Sequence, residues 1–129
     1  MSVVVVDASA VILAVVDRTA AGQEVRRRLV GIRRHAPHLI DAEVGSVLRR
    51  MTQTGEIHEP VGRQALRLAR RSVHRRHDHG PLMGRAWAIR DNVTFHDAMY
   101  VALAEQLGCA VVTADQRLAR AIGDRAHLV

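Results

Sequence analysis

Val3-Val4-Val5-Val6-Asp7-Ala8-Ser9 runs through four β-branched residues, meets an aspartate and continues into a helix-forming stretch. A short run that is apolar at every position reads as a strand buried on both faces, the mark of a parallel sheet. Ala110-Val111-Val112-Thr113-Ala114-Asp115, near the other end of the chain, repeats the plan. In an open α/β sheet, ligands bind outside the carboxyl ends of strands, where strand order reverses. If these two strands are neighbours at that point, Asp7 and Asp115 share one crevice. Like charges held close resist joint ionisation. A divalent cation removes the conflict, so the pattern points to a metal site built from oxygen ligands.

Working outward from those strands, helices are expected over Ala8 to Val16, Ala21 to Leu29, Leu39 to Thr54, Glu59 to about Arg71, Pro81 to Ile89, Thr94 to Leu107 and Gln116 to Ile122. Pro60 in a first turn and glycines at 31, 55 and 108 mark starts and stops. Extended segments are expected around His35 to Pro37, at Ser72 to Arg76, and as an edge strand at Ala126 to Val129. Strands alternating with helices give an α/β/α sandwich around a central, mainly parallel sheet. No linker, repeat or low-complexity segment interrupts the chain, so residues 1–129 are read as one domain.

The 129 residues are enough for a core without disulfides, and Cys109 is the only cysteine. No apolar run reaches the roughly 20 residues of a membrane span, and the start lacks a signal-peptide pattern. A reducing, cytoplasmic setting is therefore expected. Nineteen basic against thirteen acidic residues give a formal +6, and all nineteen are arginine. A lysine-free, Ala/Val/Arg-rich chain also fits a GC-rich genome. The arginines nevertheless cluster, at Arg26 to Arg28, Arg33-Arg34, Arg70-Arg71 and Arg75-Arg76. Guanidinium forks suit phosphate, so a nucleic-acid partner is expected. Trp87, Phe95 and Tyr100 are the only aromatics, which argues for backbone contacts over base stacking.

Taken singly, each acidic residue has an ordinary role. Asp7 and Asp115 read as helix N-caps. Asp97 completes a Thr-x-x-acid capping box in Thr94-Phe95-His96-Asp97. Together they differ, because parallel strands put their carboxyl ends, and the helix starts that follow, along one edge of the sheet. Helix N-termini alone do not stabilise a cluster of anions. In the helix from Leu39, Ile40, Val44, Val47, Leu48 and Met51 form an apolar face, with Glu43 on one flank and Asp41 on the other. Periodicity does not choose between those two.

Four blocks in order carry a family resemblance: Val5-Val6-Asp7-Ala8-Ser9-Ala10, Ala36 to Val44, Asn92 to Glu105, and Thr113-Ala114-Asp115-Gln116-Arg117-Leu118. Over essentially the whole chain they resemble the PIN-domain nucleases, and among these the VapC-type toxins of bacterial toxin–antitoxin pairs. The resemblance implies a PIN-like α/β/α sandwich and a metal-dependent endoribonuclease. It makes Asp7, Glu43, Asp97 and Asp115 the acidic quartet around one or two Mg²⁺ or Mn²⁺ ions, selecting Glu43 over Asp41. It makes Ser9, Asn92 and Thr113 supporting residues. Family members often carry an aromatic residue just before the third acid; here that position is His96, read as a local packing residue and not a ligand. The resemblance also implies a cognate VapB-type antitoxin threading across the first helices and the acidic pocket, and a homodimer.

The residue types agree with that chemistry. Hard Mg²⁺ prefers carboxylate and water oxygens, and no histidine pair has metal-ligand spacing such as H-E-x-x-H. A receiver-type phosphoacceptor domain is a poorer match because such domains rely on a lysine. A P-loop NTPase is excluded because no G-x-x-x-x-G-K-[ST] is present. A housekeeping PIN nuclease of RNA maturation and a catalytically silent RNA-binding module are the remaining alternatives. Arg85 and Arg90, near the third acid in sequence, are the expected phosphate contacts.

Overall fold

In a computed structural model describing residues 2–129, five strands form one sheet in the order β3-β2-β1-β4-β5, every pair parallel. The strands are β1 (Val3–Val6), β2 (Arg33–Pro37), β3 (Arg75–His77), β4 (Val111–Thr113) and β5 (Ala126–Leu128). The helices are α1 (Ala8–Val16), α2 (Ala20–Leu29), α3 (Leu39–Gln53), α4 (Glu59–Ser72), α5 (Gly80–Ala88), α6 (Phe95–Leu107) and α7 (Gln116–Ile122). The α/β/α sandwich is thus as expected, and its sheet is wholly parallel.

Strand order reverses between β1 and β4. From β1 the chain moves outward through β2 to β3, then crosses back to β4 and on to β5. Right-handed crossovers therefore put α1 to α4 on one face and α5 to α7 on the other. In keeping with this, α1 packs on α2, α3 and α4, whereas α6 packs on β1, β2, β4 and α5. The two Asp-terminated strands are neighbours, with Val5 opposite Val111 and Val6 opposite Val112.

The core follows from residue type. Val5, Val6, Val111 and Val112 fill the sheet centre, covered from one face by Val11, Ile40, Val44 and Leu48. On the other face Ala98 to Ala104 are all buried. A helix apolar on all sides is one sandwiched between layers, and here the layers are the sheet and α5. Small Ala98, Ala102 and Ala104 let that helix lie close. Gly108 ends it in a left-handed conformation, φ 66°, which only glycine adopts cheaply.

One strand lies elsewhere than expected. Ser72 completes α4, and the strand is Arg75–His77, its register set by pairing His35 with Arg75 and Pro37 with His77. The apolar faces of α1 and α3 are largely spent in the core through Val11, Ala14, Ile40, Val44 and Leu48.

Candidate metal-binding active site

The crevice at the β1–β4 switch point is built on Asp7. Its carboxylate caps α1 by accepting from the Ala10 amide at 2.9 Å, and also accepts from the Ser9 hydroxyl at 2.7 Å and from the Thr113 hydroxyl. Thr113 in turn accepts from the Asp115 amide at 3.0 Å, and Ser9 accepts from the Ala114 amide at 2.9 Å. Two small hydroxyl residues thereby lace the end of β1 to the end of β4. Ser9 and Thr113, expected as supporting residues, both hydrogen-bond the Asp7 carboxylate. Asp7 is only 6% exposed. Burial pushes its carboxyl pKa up, against the three hydrogen bonds that pull it down, and the charge of Asp97 adds to the rise.

Asp115 caps α7, accepting from the Arg117 and Leu118 amides at 2.9 and 3.2 Å. Asp97 lies in the first turn of α6, its amide held by the Thr94 hydroxyl at 3.2 Å as the capping box predicts. Its pKa is also raised, by burial first and then by the charge of Asp115, while Arg117 and His96 oppose the shift. Glu43 is half-buried and accepts from the Tyr100 hydroxyl at 2.5 Å. Burial drives the Tyr100 phenol far upward, with Glu43 the next cause and the charges of Asp7 and Asp97 behind it. Each of the four acids thus acts electrostatically on another member of the set or on Tyr100 at its centre.

Asp41, which helix periodicity left level with Glu43, is turned away. Arg76 clamps it through two hydrogen bonds at 2.7 and 2.8 Å. Geometry alone therefore places Glu43, and not Asp41, at the crevice. Asn92 lines a 190 Å³ cavity with Asp91, Thr94, Asp97 and Arg117. His96 is exposed, not a packing residue, because it lies with Thr94 and Phe95 in an exposed helix start.

The two arginines expected to meet phosphate are engaged elsewhere. Arg85 pairs with Glu105 at 2.7 Å, and the Arg90 guanidinium stacks 4.3 Å from the Trp87 ring centre while donating to the Trp87 carbonyl. Arg117 takes their place beside the acids: exposed, in the first turn of α7, lining the same cavity as Asp97. Sequence reasoning passed over both Arg117 and Tyr100. The spacing held a signal for each, since Tyr100 follows Asp97 by one helical turn and Arg117 lies two residues past Asp115.

The side chains able to ligate a metal in this crevice offer oxygen, and burial together with neighbouring negative charge raises two of the carboxyls. That chemistry fits a hard divalent cation. Among the described residues, no three His, Cys, Asp or Glu side chains converge into a closed metal-ligating group. An open arrangement of carboxylates suits Mg²⁺, which keeps several of its waters.

Comparison with known proteins identifies the family and the fold. The family model described as PIN domain matches residues 4–123. Ribonuclease VapC9 of Mycobacterium tuberculosis is 44% identical over 115 residues, covering 89% of this chain and 87% of that protein. Ribonuclease VapC1 of the same organism is 44% identical over 120 residues, covering 92% and 90%. The crystal structure of PAE2754 from Pyrobaculum aerophilum superposes with a TM-score of 0.73 at 22% identity, over 97% of this chain and 83% of that one. No helix among the described residues is long and apolar enough to cross a membrane.

Proposed function

The chain belongs to the PIN-domain family, and on that premise we propose that it is a metal-dependent endoribonuclease of the VapC type, the toxin of a toxin–antitoxin pair. The observation that carries the reading is the adjacency of β1 and β4, which sets Asp7 and Asp115 in one crevice with Asp97 and Glu43. The relatives named above as ribonucleases support the choice of RNA as substrate.

Asp7, Glu43, Asp97 and Asp115 would hold one or two Mg²⁺ ions, or Mn²⁺ in their place. When bound, the metal supplies an activated water and offsets charge on the scissile phosphate. The protein's part is positioning. Thr113 and Ser9 fix both oxygens of Asp7, and Tyr100 fixes Glu43, so the donor set is ordered before substrate arrives. Arg117 and Asn92, on the wall of the adjoining cavity, meet the phosphate chain of the RNA. Burial first, and then the charge of an acidic neighbour, raises the Asp7 and Asp97 carboxyls, and a bound cation would offset both effects.

A cognate VapB-type antitoxin, homodimerisation and a cytoplasmic location belong to the same reading. The relatives' VapC names support the antitoxin. The test is cleavage of a fluorogenic RNA panel in Mg²⁺, Mn²⁺ or EDTA, comparing wild type with Asp97→Asn purified identically. Metal-dependent cutting that is lost in the variant is the expected result. Equal cutting by both proteins, or none by folded wild type on any substrate, would sink the assignment.

A further inference from the structure

At the opposite edge of the sheet, where β2 and β3 begin, lies a 500 Å³ cavity between α1, α2 and the start of β2. Its lining includes Arg26, Arg33, Arg34 and His74, and no carboxylate. The cavity volume falls within the ~300–1,000 Å³ of small-molecule sites. Positive charge converges here as negative charge converges at the crevice. Arg34 is partly buried, and burial lowers its pKa. His74 is lowered too, first by burial and then by the charges of Arg34 and Arg33. Asp17 is the nearest acid coupled to this group, through Arg26, and its carboxylate is taken up by the Thr19 hydroxyl and amide.

Part of the hydrogen-bonding capacity of Arg34 and Arg26 is spent on the fold. Arg34 donates from Nε to the Ser72 carbonyl and from Nη1 to the Leu29 and Ile32 carbonyls, while Arg26 donates from Nη1 to the Ala14 and Asp17 carbonyls. These bonds hold the two guanidinium planes in place and leave other N–H groups free. His74 accepts the Arg34 amide at Nδ1, which puts its proton on Nε2 as a donor. Arg33 has no side-chain partner among the described residues. Arg34 is half-buried, Arg26, Arg33 and His74 are exposed, and no carboxylate lines the cavity with them.

We propose that this cavity is a binding site for a phosphate-bearing ligand, separate from the acidic crevice. The guanidinium of Arg33, the free Nε and Nη2 of Arg26, the remaining Nη2 of Arg34 and an imidazole donor match the several oxygens of a phosphate better than a single carboxylate. The remaining wall is apolar, formed by Val11, Ala14, Leu29, Val30 and Ile32. Val30 at its lip is 76% exposed. A phosphate joined to a flat organic group, as in a nucleotide or the end of a nucleic-acid chain, therefore fits better than the inorganic ion alone.

The experiment is calorimetric titration with pyrophosphate, AMP and a short 5′-phosphorylated RNA, in EDTA so that no metal recruits phosphate to the acidic crevice. Wild type should bind saturably, with AMP or the RNA end tighter than pyrophosphate. Arg33→Ala, which removes no bond of the fold, should weaken binding about tenfold, the effect of one charge-assisted contact. Asp97→Asn should bind as wild type does. AMP binding without RNA binding would identify a free nucleotide as the ligand, and RNA alone an RNA end. Absence of binding up to ~10 mM, or equal binding by Arg33→Ala and His74→Gln, would overturn the proposal without touching the ribonuclease assignment. Loss of affinity in Asp97→Asn would overturn it as well, by placing the ligand in the crevice.

Discussion

Replacing Tyr100 by Phe isolates one hydrogen bond. The ring is 1% exposed and stays in place, so packing is preserved and only the hydroxyl that donates to Glu43 is lost. A bond to a charged acceptor contributes ~1.5–3 kcal/mol. Glu43 is half-buried and can recruit water in compensation, which selects the lower end, about 1.5 kcal/mol. A domain of 129 residues has an unfolding entropy near 0.27 kcal/mol/K, from about 2.1 cal/mol/K per residue. The expected fall in Tm is then about 5–6 °C in metal-free buffer. Function should suffer more than stability. With its orienting donor gone, Glu43 is free to rotate, and outer-shell losses of this kind cost ~10–100-fold in metal affinity or activity. The assays are thermal denaturation and the Mn²⁺ midpoint for RNA cleavage, run on Tyr100→Phe, Glu43→Gln and the double variant. The two single changes should be non-additive, because one removes the donor of this bond and the other the charge of its acceptor. A Tm within about 1 °C of wild type, together with an unchanged Mn²⁺ midpoint, would refute the claim that Tyr100 positions Glu43.

Arg117→Ala should raise KM for RNA and reduce the salt dependence of binding by about one charge, while Arg63→Ala, an equal loss of charge from an exposed ion pair on α4, should leave both alone. Unchanged affinity and slope in Arg117→Ala would remove it from the substrate path. Asp7→Asn bears on the raised carboxyl. A group whose folded pKa lies above its unfolded value near 3.8 stabilises the fold least once it is ionised, so its contribution is lost as pH rises through the folded pKa. Metal-free wild type and Asp7→Asn should therefore be about equally stable below pH ~4, and the variant the more stable by pH 7, since Asn caps a helix as well as Asp does. Saturating Mn²⁺ should raise the Tm of wild type and not of the variant; parallel pH curves, or an equal Mn²⁺ response, would contradict the assignment.

What could be read from the chain depended on the range of the interaction that decides it. Val3 to Val6 and Gln116 to Ile122 carry their own pattern, and both elements lie where the pattern puts them. β3 is Arg-Arg-His, with no apolar alternation, and only pairing with β2 makes it a strand. Asp41 and Glu43 are equivalent on a helical wheel. They are separated by Arg76, 35 residues away, and Tyr100, 57 residues away, which no local window contains. Arg85 and Arg90 were legible as charge beside the third acid but not as partners of Glu105 and Trp87. The three aspartates are the opposite case. Each sits where a strand or loop turns into a helix, and parallel topology alone carries such positions to one edge.

The same contrast changes the meaning of the arginine excess. A formal +6 on a lysine-free chain invites a picture of a surface made for polyanions. Several of the guanidinium groups instead close helix ends. Arg26 takes carbonyls at the end of α1, Arg34 those ending α2 and α4, Arg76 the Val73 carbonyl after α4, and Arg125 the Cys109 carbonyl after α6. A cation at a helix C-terminus contributes ~0.3–1 kcal/mol. The planar fork of arginine also bridges two carbonyls at once, which the compact ammonium of lysine does less well. Others are spent on Glu24, Glu59 and Glu105. Net charge still steers the approach of an anion over the whole surface. Grip at the crevice, however, falls to the few cations left uncommitted beside it, which is why one residue, Arg117, is expected to matter more there than the clusters that dominate the sequence.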